Sequence, residues 1–271
     1  MVGPPGRGVR TIIEMVVRTR LDCLVGAASL MRYGTAQAAH HATHRAAFGR
    51  RLLDQPLMQN VVADLQVETE AAVALAMRVA RAFDDGATDP KARAFSRLAA
   101  AVTKYYLCKR SPGVVVEAME CLGGNGFVED SGLPRAFRQS PLNGIWEGSG
   151  NVIVLDVLRA MQREPDSLQA VMAELSEVSR GDKRLDAAVR QLEGMLGALG
   201  EGSLIGARVF VEHLARCMQG AVLVQHGHEA VCDAFMSTRL SPGYPSLLYG
   251  TLPSSVNVAP ILERAVPAQA V

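Results

Sequence analysis

The chain has 271 residues, 49% hydrophobic and 5% aromatic, with a net charge of +1. That length allows one large or two modest domains with a real core, and a composition rich in Ala, Val and Leu suits packed helices. Near-neutral charge argues against a nucleic-acid footprint over the whole surface. Five scattered cysteines (Cys23, Cys108, Cys121, Cys217, Cys232) without a Cys-x-x-Cys pair argue against a disulfide framework or a zinc site.

Met1-Val-Gly-Pro-Pro-Gly-Arg7 carries turn formers rather than a basic stretch and an apolar run, so no signal peptide is expected, and charges break every apolar run well before about 18 residues. A soluble protein of the reducing cytoplasm is expected. Charge is uneven: residues 1–55 hold eight arginines against three acids, and residues 166–271 hold eight basic against eleven acidic side chains. The arginines at 7, 10, 18, 20, 32, 50 and 51 therefore suggest a local basic end.

From Val9 to about His44 apolar residues recur at helical spacing without a proline, which predicts one long helix ended by Phe48-Gly49. Asp54 and Pro56 open a second helix to about Phe83. After the turn at 84–89, Asp89 as N-cap and Pro90 at the first position open a third helix to about Leu122, where Pro112-Gly113 is a candidate kink. Gly123 and Gly124 suit a C-cap, and a short helical turn near Pro134–Arg138 leads to a fourth helix, Gly148–Met161. Four long helices with short connections predict an all-α antiparallel four-helix bundle.

After Arg163 the texture changes, giving a helical extension with segments near 167–179, 183–198, 203–224 and 229–239. Its last 30 residues, rich in Pro, Ser and Gly, are expected to run extended over a surface. The divisions are 1–10, a junction; 11–163, the bundle; and 164–271, the extension.

The chemistry concentrates in Asn143-Gly-Ile-Trp-Glu-Gly-Ser-Gly-Asn151. Glu147 stands beside Trp146, an apolar wall that disfavours the carboxylate anion, and Gly148 and Gly150 let a ligand approach the backbone. The competing reading is an acid in the first turn of the fourth helix, favouring the helix dipole. His40 and His44, four apart, could form half a metal site but lack a His-Glu-x-x-His arrangement; Gln225-His-Gly-His-Glu229 could bind a transition metal but reads as a solvated His pair ending a helix, and no metal is expected. Cys121 lacks an activating base and reads as a buried thiol.

Two upstream segments change the weighting: Arg45-Ala-Ala-Phe-Gly-Arg-Arg-Leu52 and Glu120-Cys-Leu-Gly-Gly-Asn-Gly-Phe127. With Trp-Glu-Gly they resemble, in order and spacing, the carboxy-terminal helical domain of the acyl-CoA dehydrogenase family, over about Val9 to Arg163. Thr19-Arg-Leu-Asp-Cys23, Gln55-Pro-Leu-Met58 and the helical extension are similar to the branch that includes the bacterial DNA-alkylation-response flavoprotein and isovaleryl-CoA-dehydrogenase-like members.

The resemblance implies an oxidoreductase acting on an acyl-CoA thioester, with FAD at a subunit interface of a homotetramer and Glu147 as the base. It places Arg45 on the FAD diphosphate and Phe48 on the dinucleotide. Gly123 and Gly124, with Glu120 where the family has glutamine, fall along the adenosine half. Ser149, Asn151 and Gln55, with Gln59 as the alternative, fall within reach of FAD. Without the family these are a helix-end cation, a core aromatic and a C-cap. Gly6-Arg-Gly-Val-Arg10 resembles the junction after the family's amino-terminal helical and central β-domains, which this sequence does not contain. The alternative implied function is a flavoprotein that contacts DNA through its basic end, without dehydrogenase turnover.

Overall fold

In the computed structural model, which describes residues 3–199, 204–241 and 248–266, the chain forms eleven α-helices and one two-stranded hairpin. The first helix, α1 (Gly8–His44), is unbroken because no proline interrupts it. It stops at His44, and Phe48-Gly49 forms the turn of an antiparallel hairpin, β1 (Ala46–Ala47) with β2 (Arg50–Arg51). Both turn residues have positive φ, 54° and 81°, as a tight two-residue hairpin turn requires. The expected helix end is thus a structured loop.

Pro56 at the first position opens α2 (Pro56–Asp85). Asp89 caps α3 (Pro90–Cys121), accepting the Lys91 N–H at 2.8 Å. The helix runs on through Pro112, whose missing N–H leaves the Cys108 carbonyl without its helical donor. Leu122 ends α3, and Gly123, with φ of 58°, makes the left-handed turn into α4 (Gly124–Phe127). The third glycine of that run is structural, because a Cβ at Gly126 would stand 2.2 Å from the Met119 carbonyl. Next come α5 (Leu133–Gln139), a 3₁₀ turn over Ser140–Gly144 and α6 (Gly150–Arg163).

Cross-helix pairs fix the directions. The Cys108 thiol donates to the Cys23 carbonyl, and Gly34 packs closely on Ala118, so α1 and α3 run parallel. Thr35 bonds Thr69 at 2.8 Å, and Ala39 and Ala42 cluster with Val62, so α2 runs against both. Lys104 meets Gly148 while Arg97 meets Asp156, so α6 opposes α3. This is the antiparallel four-helix bundle, and its alanine-rich seams (Ala27, Ala28, Ala71, Ala72, Ala99, Ala100) let the helices approach closely.

The extension adds α7 (Pro165–Val178), α8 (Lys183–Leu199), α9 (Ala207–His226) and α10 (Glu229–Arg239). Val171, Leu175, Phe210 and Leu214 share one buried cluster with Leu75 and Leu98 of the bundle. Charged seams reinforce it. Arg78 pairs with Glu174, and Arg239 reaches Asp64 and, at 3.3 Å, Glu68, which also accepts from Arg110 at 2.8 Å. Burial would raise the Glu68 carboxyl, but Arg110 and Arg239 overcome it and hold it down at about 2.

The tail departs from the extended course expected of it. Gly250 and Thr251 donate their N–H groups to Asp64, and α11 (Ala259–Ala265) buries Ile261 and pairs Arg264 with Glu70. No helix among the described residues is long and apolar enough to cross a membrane.

Candidate functional site

Glu147 lies three residues before α6 and outside it, in a loop with φ of 57° at Glu147 and 109° at Gly148. It is therefore not the first-turn acid expected from a helix starting at Gly148. Left-handed backbone at a non-glycine residue is uncommon, and surrounding bonds hold it there. Lys104 of α3 donates to the carbonyls of Trp146 at 2.8 Å and Gly148 at 2.7 Å. Arg20 of α1 donates to the Glu147 carbonyl at 3.1 Å and is itself held by Asp156 of α6, which also pairs with Arg97.

Three successive carbonyls are thus gripped by two buried cations. Gly148 is required: its φ is closed to other residues, and a Cβ would stand 3.0 Å from Ile153. Neither the carboxylate nor the backbone N–H of Glu147 makes a hydrogen bond among the described residues. Glu147 is half-buried, and Trp146, whose indole donates to Asn143 at 3.2 Å, is 49% exposed.

Ser149 is the N-cap of α6 but makes no side-chain cap bond, and Asn151 is exposed in the first turn. A Cβ at Gly150 would stand 3.0 Å from the ammonium of Lys109 of α3, and Arg208 of α9 donates to the Tyr105 hydroxyl at 3.1 Å; both cations lie over the Tyr105 ring, and neither has an acidic partner among the described residues. Ile145, Val152, Leu204, Ile205 and Val209 are exposed. The loop therefore joins an unengaged carboxylate and N–H to uncompensated positive charge, a setting for proton removal from an anionic substrate with an apolar part.

The remaining candidates gather elsewhere. Arg45 is the exposed C-cap of α1, without an ion-pair partner among the described residues. Phe48 at the hairpin tip is 95% exposed. Gln55 braces that hairpin, its amide donating to the Ala47 carbonyl at 3.1 Å. Glu120, Gly123 and Gly124 are exposed at the carboxy-terminal end of α3, where a Cβ on either glycine would meet nothing within 4 Å. Because α1 and α3 are parallel, this group and the hairpin share one end of the bundle. The level of Arg20, and so of Glu147, lies about 37 Å from Arg45 along α1 at ~1.5 Å per residue. The structure brings the candidates together as two groups.

Several functional neighbours are not read from the sequence. Arg20, counted there in the basic end, is buried against Asp156, and Arg51 pairs with Asp54, which reduces that surface; the side chain of Arg10 lies outside those described. Lys104 carries a signal that could have found it: a lone charge within the fully buried run Leu98–Cys108. Of the weaker constellations, the His40 and His44 rings lie 4.4 Å apart, His228 caps α10, and no metal-binding group exists among the described residues. Burial pushes the Cys121 thiol up to about 12, as an inert buried cysteine requires.

Residues 6–162 match the sequence profile of the acyl-CoA dehydrogenase carboxy-terminal domain. The chain is 38% identical over 245 residues to the putative acyl-CoA dehydrogenase AidB of Escherichia coli K12, which covers 88% of this chain and 44% of that protein. Acyl-CoA dehydrogenase family member 11 of Caenorhabditis elegans is 29% identical, over 84% of this chain and 40% of that one. The crystal structure of C. elegans ACDH-11 in complex with C11-CoA superposes with a TM-score of 0.77 at 27% identity, covering 87% of this chain and 44% of its own. The chain spans less than half the length of these relatives.

Proposed function

The chain belongs to the acyl-CoA dehydrogenase family, and we propose that it is the helical part of an FAD-dependent flavoprotein that dehydrogenates an acyl-CoA thioester with Glu147 as base. The observation that carries this reading is the gripped loop, which holds a free carboxylate and a free N–H on one residue. Glu147 takes the α-proton, and its N–H stabilises the oxygen of the enolate that forms. FAD, when bound, supplies the acceptor for the hydride that leaves the β-carbon.

The residues present fit that cofactor. Arg45 offers to a diphosphate a guanidinium without an ion-pair partner among the described residues, Phe48 an exposed ring to a dinucleotide, and Gly123-Gly124 an open backbone. Ser149 and Asn151 have polar groups near Glu147, and Gln55 keeps one amide hydrogen beyond its bond to Ala47. Glu120 fits least, because a carboxylate near phosphates repels. The ~37 Å along α1 between the level of the Glu147 loop and Arg45 supports a site shared by two copies, Arg45 and Phe48 reaching the cofactor whose reacting end lies at the partner's loop. We propose a cytoplasmic homotetramer that shares FAD in this way.

Mixed oligomers test it. In full-length subunits carrying this segment, Arg45→Ala at limiting FAD and Glu147→Gln each lower turnover alone, and co-assembly restores part of it, because one site in a mixed pair then contains both intact residues. No restoration on mixing defeats the shared site.

A further inference from the structure

We propose that Lys104 is the positioning residue of the Glu147 loop: its ammonium bonds the carbonyls on either side of Glu147 and fixes the left-handed backbone that holds the carboxylate free. The inference rests on the reading of Glu147 as base. Lys104 is 1% exposed, one of the largest side chains fully buried among the described residues. A buried ammonium is costly, and a lysine serving only to pack runs its stem along apolar surface and keeps its head in water. Here the head is buried, pairs with no carboxylate among the described residues, and makes both its bonds to one loop, at 2.8 and 2.7 Å.

Two carbonyls two residues apart converge on one nitrogen only if the residue between them is turned over, and Glu147 has φ of 57°. Arg20 binds the middle carbonyl, but its charge is balanced by Asp156; that of Lys104 serves the loop alone. The groups facing the ammonium are Cys108 on its own helix, Cys23 and Arg20 on α1, and Glu147 in the loop. Burial, the largest influence, draws Lys104 below the ordinary lysine range, and it pushes the Cys108 thiol up to about 12.

The chain carries its own reporter, because Trp146 is the sole tryptophan and its carbonyl is one of the two that Lys104 holds. In Lys104→Met the helical circular dichroism stays as in the unmutated chain, Trp146 emission shifts, and its quenching by acrylamide rises. In an FAD-loaded full-length subunit the same variant lowers kcat by about 10²-fold with KM little changed, the cost of misplacing a base by about 1 Å, and Lys104→Arg recovers part of the loss.

Should Lys104→Met not fold, the unmutated chain gives the same test. Its Trp146 emission changes in an alkaline transition below the ordinary lysine range, as the ammonium loses its charge while the Cys108 thiol stays neutral, and Lys104→Arg lacks that transition. Trp146 emission and quenching unchanged in a folded Lys104→Met, or no alkaline transition in the unmutated chain, overturns the proposal. A Glu147→Gln subunit that turns over normally defeats the base and leaves the Trp146 result standing, so the two failures are distinguishable.

Discussion

The seam between bundle and extension and the loop around Glu147 both bury cations, and they use them differently. At the seam Arg110 and Arg239 meet Asp64 and Glu68, each charge answered by an opposite charge and the tail tied in through Gly250 and Thr251. At the loop Lys104 hydrogen-bonds only carbonyls among the described residues, Glu147 holds a left-handed backbone, and Lys109 and Arg208 have no acidic partner among the described residues. Closed networks stabilise; backbone strain and unanswered charge collect where a ligand is to complete the site.

The largest effect expected from that contrast is at the seam. Glu68→Gln leaves two part-buried guanidinium groups under-compensated and costs about 3 kcal/mol, read as a lower urea midpoint. Because the folded carboxyl lies below its unfolded value, its contribution is present above pH ~4.5 and fades as pH falls towards about 2. The unmutated chain therefore loses stability through that window, and Glu68→Gln loses less. Equal acid sensitivity in the two would show that the network is not the acid-labile element.

Arg45→Ala should leave stability within about 0.5 kcal/mol, as an exposed substitution does, and weaken FAD by about 1.5–3 kcal/mol, the loss of one charge-assisted phosphate contact. Flavin titration with unchanged affinity removes Arg45 from the site. Phe48→Gly trades a side chain at φ 54° for a residue that adopts that backbone freely, so stability changes by less than about 1 kcal/mol while FAD binding weakens. A marked fall in melting temperature would make Phe48 a fold residue.

The smallest effect concerns duplex DNA. With Arg20 buried against Asp156 and Arg51 paired to Asp54, retention should be weak and lost between about 50 and 200 mM salt. Tight, sequence-independent retention at the upper concentration would favour the DNA-contacting alternative.

Most of the fold was legible because helix punctuation is local: Asp89-Pro90 and Pro56 announce α3 and α2, and an uninterrupted 3.6-residue pattern announces α1. The hairpin after α1 was not, since strands of two residues are too short to show alternation. Neither was α11, whose helix rests on packing of Ile261 and a distant pair, Arg264 with Glu70. At the site the acid and its glycines stood out as residue types. What grips them did not, because Lys104 and Arg20 act across 42 to 127 residues of sequence, and only the folded chain shows which carbonyls they reach.

The most direct test of the account is Glu147→Gln in a full-length FAD-loaded subunit, read by stopped-flow bleaching of the flavin on mixing with acyl-CoA. The amide keeps the shape and cannot accept the α-proton, so acyl-CoA should still bind while flavin reduction slows by about 10²–10⁴, the scale of losing a positioned base. Flavin reduction at the unmutated rate would contradict the account and leave Glu147 a loop carboxylate without a chemical role.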